Sequence, residues 1–131
     1  MRDEAVKEVA YDEKYDPREG IEGSGGEYAS YFSVRLRVFC EKQKISIDDG
    51  VDGKDAERRH YAIFRGNLAL AVCRLSIEPP YAKVERVACL KEGRGRGYAR
   101  RLMLEVISIV DRDHPNAIVV ALAQTTVLKF Y

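Results

Sequence analysis

The stretch Arg94-Gly95-Arg96-Gly97-Tyr98-Ala99-Arg100-Arg101 sets glycines and arginines where they would suit a phosphate. Gly95 and Gly97 carry no Cβ, so the backbone there can take unusual dihedrals and a ligand can approach its amides closely. The preceding run, Val84 to Leu90, is rich in β-formers. After the glycines, apolar residues recur at Tyr98, Leu102, Val106 and Val110, the i, i+4 spacing of a helix face. The pattern is strand, glycine turn, helix. Unpaired N–H groups at the helix start, with the positive end of its dipole, favour an anion. The forked donors of Arg94, Arg96 and Arg100 match phosphate oxygens. Two common nucleotide loops do not fit: a Walker A loop needs Gly-x-x-x-x-Gly-Lys followed by Ser or Thr, and the dinucleotide fingerprint needs a third glycine where Arg100 stands.

Other residues capable of chemistry read more plainly. Asp48, Asp52 and Gly53 fall on positions 1, 5 and 6 of a calcium-binding EF-hand loop, but position 3 would be Gly50 and position 12 would be Arg59, where a bidentate glutamate belongs. The segment Ile47 to Asp55 therefore reads as a solvated acidic turn, and no metal is expected. His60 opens a strand with no second histidine near it and reads as a satisfied structural residue; His114, before Pro115, reads as part of a turn. Cys40, Cys73 and Cys89 are far apart, odd in number and set in apolar surroundings, unlike a disulfide or zinc framework. They read as reduced core residues.

The elements that must position the glycine turn follow from periodicity. Residues 5 to 12 suit a strand or a short helix, and residues 13 to 27, with Pro17 and four glycines among acidic side chains, have the composition of a mobile loop. From Glu27 to Lys44, the positions Tyr28, Tyr31, Phe32, Leu36, Phe39 and Cys40 fall at helical spacing. His60 to Phe64 and Leu68 to Ile77 are β-rich runs joined by Arg65-Gly66-Asn67, a hairpin signal, and Ala82 to Leu90 supplies a third strand. A helix over about residues 96 to 112 and the apolar run Ala117 to Ala123 follow. A continuous apolar run suggests burial on both faces, and a strand reached through a helix should lie parallel to its predecessor. Thr125 to Tyr131 reads as the beginning of another helix. The fold class is therefore α+β with a mixed sheet: an antiparallel meander followed by a βαβ unit.

A chain of 131 residues suits one domain, here 1–131, with 1–27 an N-terminal strand and loop and 28–131 the core. Charged residues make up 33% but the net charge is only +1, so the basic character is local to residues 94 to 101. Four arginines at one turn without interleaved aromatics argue against nucleic acid. The charged start Met1-Arg2-Asp3-Glu4 and the lack of a long apolar run predict a soluble, cytoplasmic protein without membrane attachment.

Taken together, the strand, the turn Arg94-x-x-Gly97-x-Ala99, the amphipathic helix, the apolar strand and Phe130-Tyr131 resemble the core of the GNAT superfamily of N-acetyltransferases, whose signature turn is Gln/Arg-x-x-Gly-x-Gly/Ala. Val34-Arg35-x-x-Val38-Phe39-x-x-x-Gln43, the acidic-glycine turn, His60 and Glu85-Arg86-Val87-Ala88 are similar to its ElaA-like small-molecule branch. The resemblance implies transfer of an acetyl group from acetyl-CoA to a primary amine of a small molecule by direct attack. It further implies that the strand of Val87, Ala88 and Cys89 splays from the later strand, where Gln124 lies, to admit the pantetheine arm. The pyrophosphate would rest on Gly95, Arg96, Gly97, Tyr98, Ala99 and Arg100, with Arg94 beside them.

The reaction needs a neutral amine, a held oxyanion and a proton for the leaving thiolate. Glu85 is the candidate base, placed by sharing strand parity with Val87 and Cys89; the competing reading pairs it with Arg86 or Lys83 on a solvated face. Tyr131 is the candidate acid, by its place after Phe130 in the resemblance. A backbone N–H near Cys89 would polarise the thioester, and Cys89 is not expected to act as a nucleophile. Three features depart from the pattern: Lys42 stands where relatives commonly carry an acidic residue, Ala99 replaces the more frequent glycine, and the two strands that usually follow Phe-Tyr are absent. That absence predicts a C-terminally truncated fold whose strand edge would favour a homodimer. The competing function is a degenerate GNAT domain that binds CoA or a partner protein without catalysis.

Overall fold

A computed structural model describes residues 4–12, 26–35, 55–90 and 95–121. Their backbone forms one five-stranded sheet in the order β1-β2-β3-β4-β5. The strands are β1 (Glu4–Val9), β2 (Arg59–Arg65), β3 (Leu68–Glu78), β4 (Tyr81–Cys89) and β5 (Ile118–Ala121); the helices are α1 (Glu27–Arg35) and α2 (Tyr98–Asp113), and a 3-10 turn spans Asp55–Glu57. β1 to β4 pair antiparallel, and β5 joins β4 in parallel after the α2 crossover. The mixed sheet expected from the sequence is thus present, and residues 5 to 9 resolve as strand rather than helix. The turn between β2 and β3 is Gly66-Asn67, with Gly66 at φ 60, a left-handed dihedral suited to the first position of a two-residue hairpin turn.

Each face of the sheet is covered by one helix. α2 buries Tyr98, Ala99, Leu102, Met103, Val106 and Val110 against Ile63, Cys73, Leu75, Val84 and Val87, so the helical stripe read from the sequence is its core face. α1 packs Tyr28, Phe32 and Val34 on the opposite face with Ala62, Val72 and Ala88. Cys73 and Cys89 are buried and take part in no disulfide.

β5 departs from expectation. Ile118 is 54% exposed and Val119 is 37% exposed, because α2 lies over β2, β3 and β4 while β5 is an edge of the described sheet. The apolar run is a strand, but not one buried on both faces. The remainder of the first helix beyond Arg35, Cys40, the EF-hand-like positions 48 to 53, and the final helix over 125 to 131 lie outside the described residues.

Candidate active site

The glycine turn is built as its composition requires. Gly95 takes φ 80 and Gly97 takes φ 76, both left-handed, and a Cβ at either would meet no atom within 4 Å. The glycines therefore answer a backbone need and not crowding. Gly97 is the N-cap of α2 and supplies no side-chain hydrogen bond; the described bond that closes the first helical turn is Arg101 N–H to the Gly97 carbonyl, 2.9 Å. The first amides of the helix are thus not capped by Gly97, and no acidic side chain occupies the first turn. Arg96, Gly97 and Arg100 are exposed there. An open groove of about 490 Å³ continues from Gly97 and Arg100 along Arg101, Leu104, Glu105 and Ser108.

Not every residue of the motif faces this groove through its side chain. Tyr98 and Ala99 are buried. The Tyr98 hydroxyl accepts a hydrogen bond from Arg65, whose guanidinium lies 5.8 Å from the ring centre. Arg101 Nη2 donates to the Glu4 carbonyl at 2.9 Å, and the Glu4 carboxylate lies 3.8 Å from Arg101 and 3.7 Å from Arg65. Arg65 and Arg101 thereby tie β1 to the start of α2. Tyr98 and Ala99 can serve an anion only through their backbone N–H groups, while Arg96 and Arg100 carry the exposed charge. Arg94, Gln124 and Tyr131 lie outside the described residues.

β4 contains the feature that the sequence concealed. Arg74 pairs with Glu85, yet Val72 pairs with Ala88, so β4 holds an extra residue between these rungs, and Arg86 sits at φ 54. A bulge of this kind interrupts strand alternation. Val84, Val87 and Cys89 consequently share the α2 face, whereas Ala88 faces α1. Glu85, opposite Arg74, lies on the α1 side. The expectation that Glu85 shares a face with Val87 and Cys89 is corrected accordingly. The same bulge comes just after Val84–Ala121, the last described rung between β4 and β5, so among the described residues no strand pairs with that edge of β4 at Val87 to Cys89. The Cys89 thiol donates to the Leu90 carbonyl at 3.4 Å and is only 4% exposed.

On the α1 side Glu85 joins a buried ionic network. Arg74 Nε donates to Glu85 Oε1 at 2.9 Å, and its Nη1 donates to Asp55 Oδ1 at 3.0 Å. The same Asp55 oxygen receives Arg35 Nη1 at 2.9 Å, and Arg58 lies 3.8 Å from Glu85. Arg35 and Arg74 are each 2% exposed and Asp55 5%, while the Glu85 side chain keeps 19%. Asp55 is therefore not part of a solvated turn. Glu85 pairs with Arg74 and Arg58, residues on β3 and before β2, and not with Lys83 or Arg86 as the competing reading had it.

His60 is satisfied at both nitrogens. Its Nε2 lies 2.8 Å from the Asp55 carbonyl, which can only accept, so Nε2 carries the proton and Nδ1 accepts from the Tyr31 hydroxyl at 2.7 Å. Burial lowers the His60 pKa, partly opposed by the hydrogen bond to Asp55, and the ring is held neutral. Burial likewise drives the Tyr31 and Tyr28 hydroxyls well above their ordinary range. The signal for this network in the sequence was Arg74 itself, a lone guanidinium inside the otherwise apolar Leu70 to Leu75.

A bulged strand followed by a helix that opens on a left-handed glycine is accompanied by a match to the family model described as the Acetyltransferase (GNAT) family, over residues 27–131. The chain belongs to the GNAT family of acetyltransferases. A curated relative, the Bacillus subtilis protein named "Uncharacterized N-acetyltransferase YjcF", is 25% identical over 100 residues, covering 76% of this chain and 71% of that one. The fold is that of Escherichia coli ElaA, with a TM-score of 0.75 and 20% identity over 98% of this chain and 83% of that one. An acyl-CoA N-acyltransferase from Pseudomonas aeruginosa superposes with a TM-score of 0.72 and 20% identity, covering 98% and 82%. The GNAT fold expected from the turn and its flanks is therefore present, and acetyl transfer with acetyl-CoA as co-substrate is the general chemistry of that family.

Proposed function

We propose that this chain transfers acetyl from acetyl-CoA to a primary amine of a small molecule, with Glu85 as base. The observation that carries the reading is the start of α2, where left-handed Gly95 and Gly97 leave an N-terminus without a side-chain cap beside exposed Arg96 and Arg100. Such an end suits a pyrophosphate through backbone N–H groups and helix dipole together. The groove along Leu104, Glu105 and Ser108 gives the rest of an extended ligand a course over α2. Bound acetyl-CoA supplies the activated thioester. The backbone of Val87, Ala88 and Cys89 lies on the edge of β4 that faces away from β3, where an amide-bearing arm would pair.

Glu85 follows Val84, which forms the last described rung of β4 with β5, and keeps part of its carboxylate at the surface, so it can take the amine proton directly or through water. Tyr131, from the resemblance, would return a proton to the leaving thiolate. Gln124 and Arg94 complete the proposed contacts on the same grounds.

Calorimetric titration with acetyl-CoA, using ATP and NAD as controls, tests the binding. Saturable binding that disappears in Gly97→Glu places the ligand on the turn; a folded chain that binds none of the three nucleotides defeats the reading. Catalysis is tested by release of CoA thiol in the presence of a panel of primary amines, with Glu85→Gln expected to lower kcat. Binding without transfer to any amine would favour the non-catalytic role.

A further inference from the structure

We propose that Arg74 and Asp55 are positioning residues that fix the aim of the Glu85 carboxylate, an inference that rests on Glu85 being the base. Glu85 alternates with Val84 onto the α1 face, where Arg74 lies directly across the strand pair, and the bulge at Arg86 then returns Val87 to the other face. A partly exposed glutamate on a strand otherwise keeps several rotamers of similar energy. Arg74 removes that freedom because its guanidinium is held at two points of one rigid plane, Nε on Glu85 at 2.9 Å and Nη1 on Asp55 at 3.0 Å.

Asp55 is itself anchored from two directions. Its carboxylate takes Arg35 Nη1 from α1 at 2.9 Å, and its carbonyl takes His60 Nε2 from β2 at 2.8 Å. The line of restraint thus runs from α1 and β2, through the 3-10 turn and Arg74, to a partly exposed carboxylate on β4. Arg58, 3.8 Å from Glu85, is the other charged group facing it among the described residues and comes from the same segment as Asp55. A network serving only to fasten α1 to the sheet would need Arg35 and Asp55; it would not need Arg74 to extend its second donor to a partly exposed glutamate. Reacting groups displaced by about 1 Å lose about 10²-fold in rate, so an aiming device of this kind has a catalytic consequence.

The test uses the full chain with glutamate labelled by ¹³C at the side-chain carboxyl, the Glu85 resonance being assigned by its loss in Glu85→Gln. Asp55→Asn, two hydrogen bonds removed from Glu85, is expected to move or broaden that resonance, as is Arg74→Lys, which keeps the charge but not the fork. In acetyl transfer to ethanolamine, or to whichever panel amine is turned over, both variants are expected to lower kcat by about 10-fold to 10²-fold. The KM for acetyl-CoA should stay within about twofold, because the glycine turn is untouched. An unmoved Glu85 resonance in both variants overturns the inference, as does wild-type kcat in both while Glu85→Gln is inactive. Wild-type kcat in Glu85→Gln refutes the base reading instead. Should Asp55→Asn fail to fold, Arg74→Lys carries both measurements, since it leaves a cation opposite both carboxylates.

Discussion

Asp55 offers the sharpest test of the physical account, because sequence alone made it a solvated turn residue and the fold sets it between two buried guanidiniums. One carboxylate oxygen receives Arg35 at 2.9 Å and Arg74 at 3.0 Å, and the side chain is 7% exposed. Substitution by Asn preserves volume and leaves a carbonyl oxygen able to accept both bonds, but it removes the charge. Among the described residues Arg35, Arg74 and Arg58 already outnumber Asp55 and Glu85 in this network, and the variant takes away one of its two negative charges. Removing one member of a buried ion pair costs about 3–5 kcal/mol. With hydrogen bonds retained, Asp55→Asn belongs near about 3 kcal/mol, and Asp55→Ala, which orphans both donors, near about 5 kcal/mol.

Urea unfolding followed by circular dichroism reads this directly. For a slope of about 1.5–2 kcal/mol/M, a loss of about 3 kcal/mol lowers the midpoint by about 1.5–2 M. The pair Arg59–Glu8, 3.1 Å apart but with side chains 35% and 49% exposed, is the internal control: Glu8→Gln should cost less than about 1 kcal/mol. Asp55→Asn costing no more than Glu8→Gln would refute the account. So would a double-mutant cycle of Asp55→Asn with Arg35→Met that shows no coupling.

Four further outcomes are expected. His60 has a folded pKa depressed by burial below its ordinary 6.5, so the unfolded chain binds the proton more readily; stability should be full above about pH 6.5 and fall as pH drops, by up to about 1.4 kcal/mol per pH unit, until the folded ring also protonates. His60→Gln, which keeps a donor toward the Asp55 carbonyl, should flatten that slope in urea titrations between pH 5 and 7. Gly97→Ala should cost about 1–2 kcal/mol in unfolding experiments, since φ 76 strains an L-residue while nothing crowds its Cβ; a larger loss would mean the site is packed. Leu102→Ala, at a fully buried position of α2, should lose about 2–5 kcal/mol, and less than about 1 kcal/mol would contradict its place in the core. In a Cys40→Ser background the native chain should be silent to a thiol reagent at pH 8, because Cys73 is pushed up to about 12 by burial and Cys89 is enclosed, with both thiols reacting only after unfolding.

Much of this protein is written locally. The alternation of β2 to β4, the Gly66-Asn67 turn, the stripe of Tyr98, Leu102, Val106 and Val110, and the two glycines before it depend on residues a few positions apart, so periodicity and backbone preference determine them without knowledge of the fold. The placing of a left-handed glycine turn at a helix start follows for the same reason. The sequence also determined that His60 would be a satisfied residue, since nothing near it could make it a ligand. Three things were decided only by tertiary structure. Strand alternation placed Glu85 beside Val87, but the bulge at Arg86 is a matter of pairing with β3 and reverses that face. The apolar run at Ile118 was read as doubly buried, but burial depends on where α2 crosses the sheet. Asp55, Arg35 and Arg74 are 20, 39 and 19 residues apart in pairwise separation, and only the packing of α1, the 3-10 turn and β3 brings their charges within 3.0 Å of one carboxylate oxygen. Spacing along the chain specifies what each element is; desolvation and register across the sheet specify which of its charges must find one another.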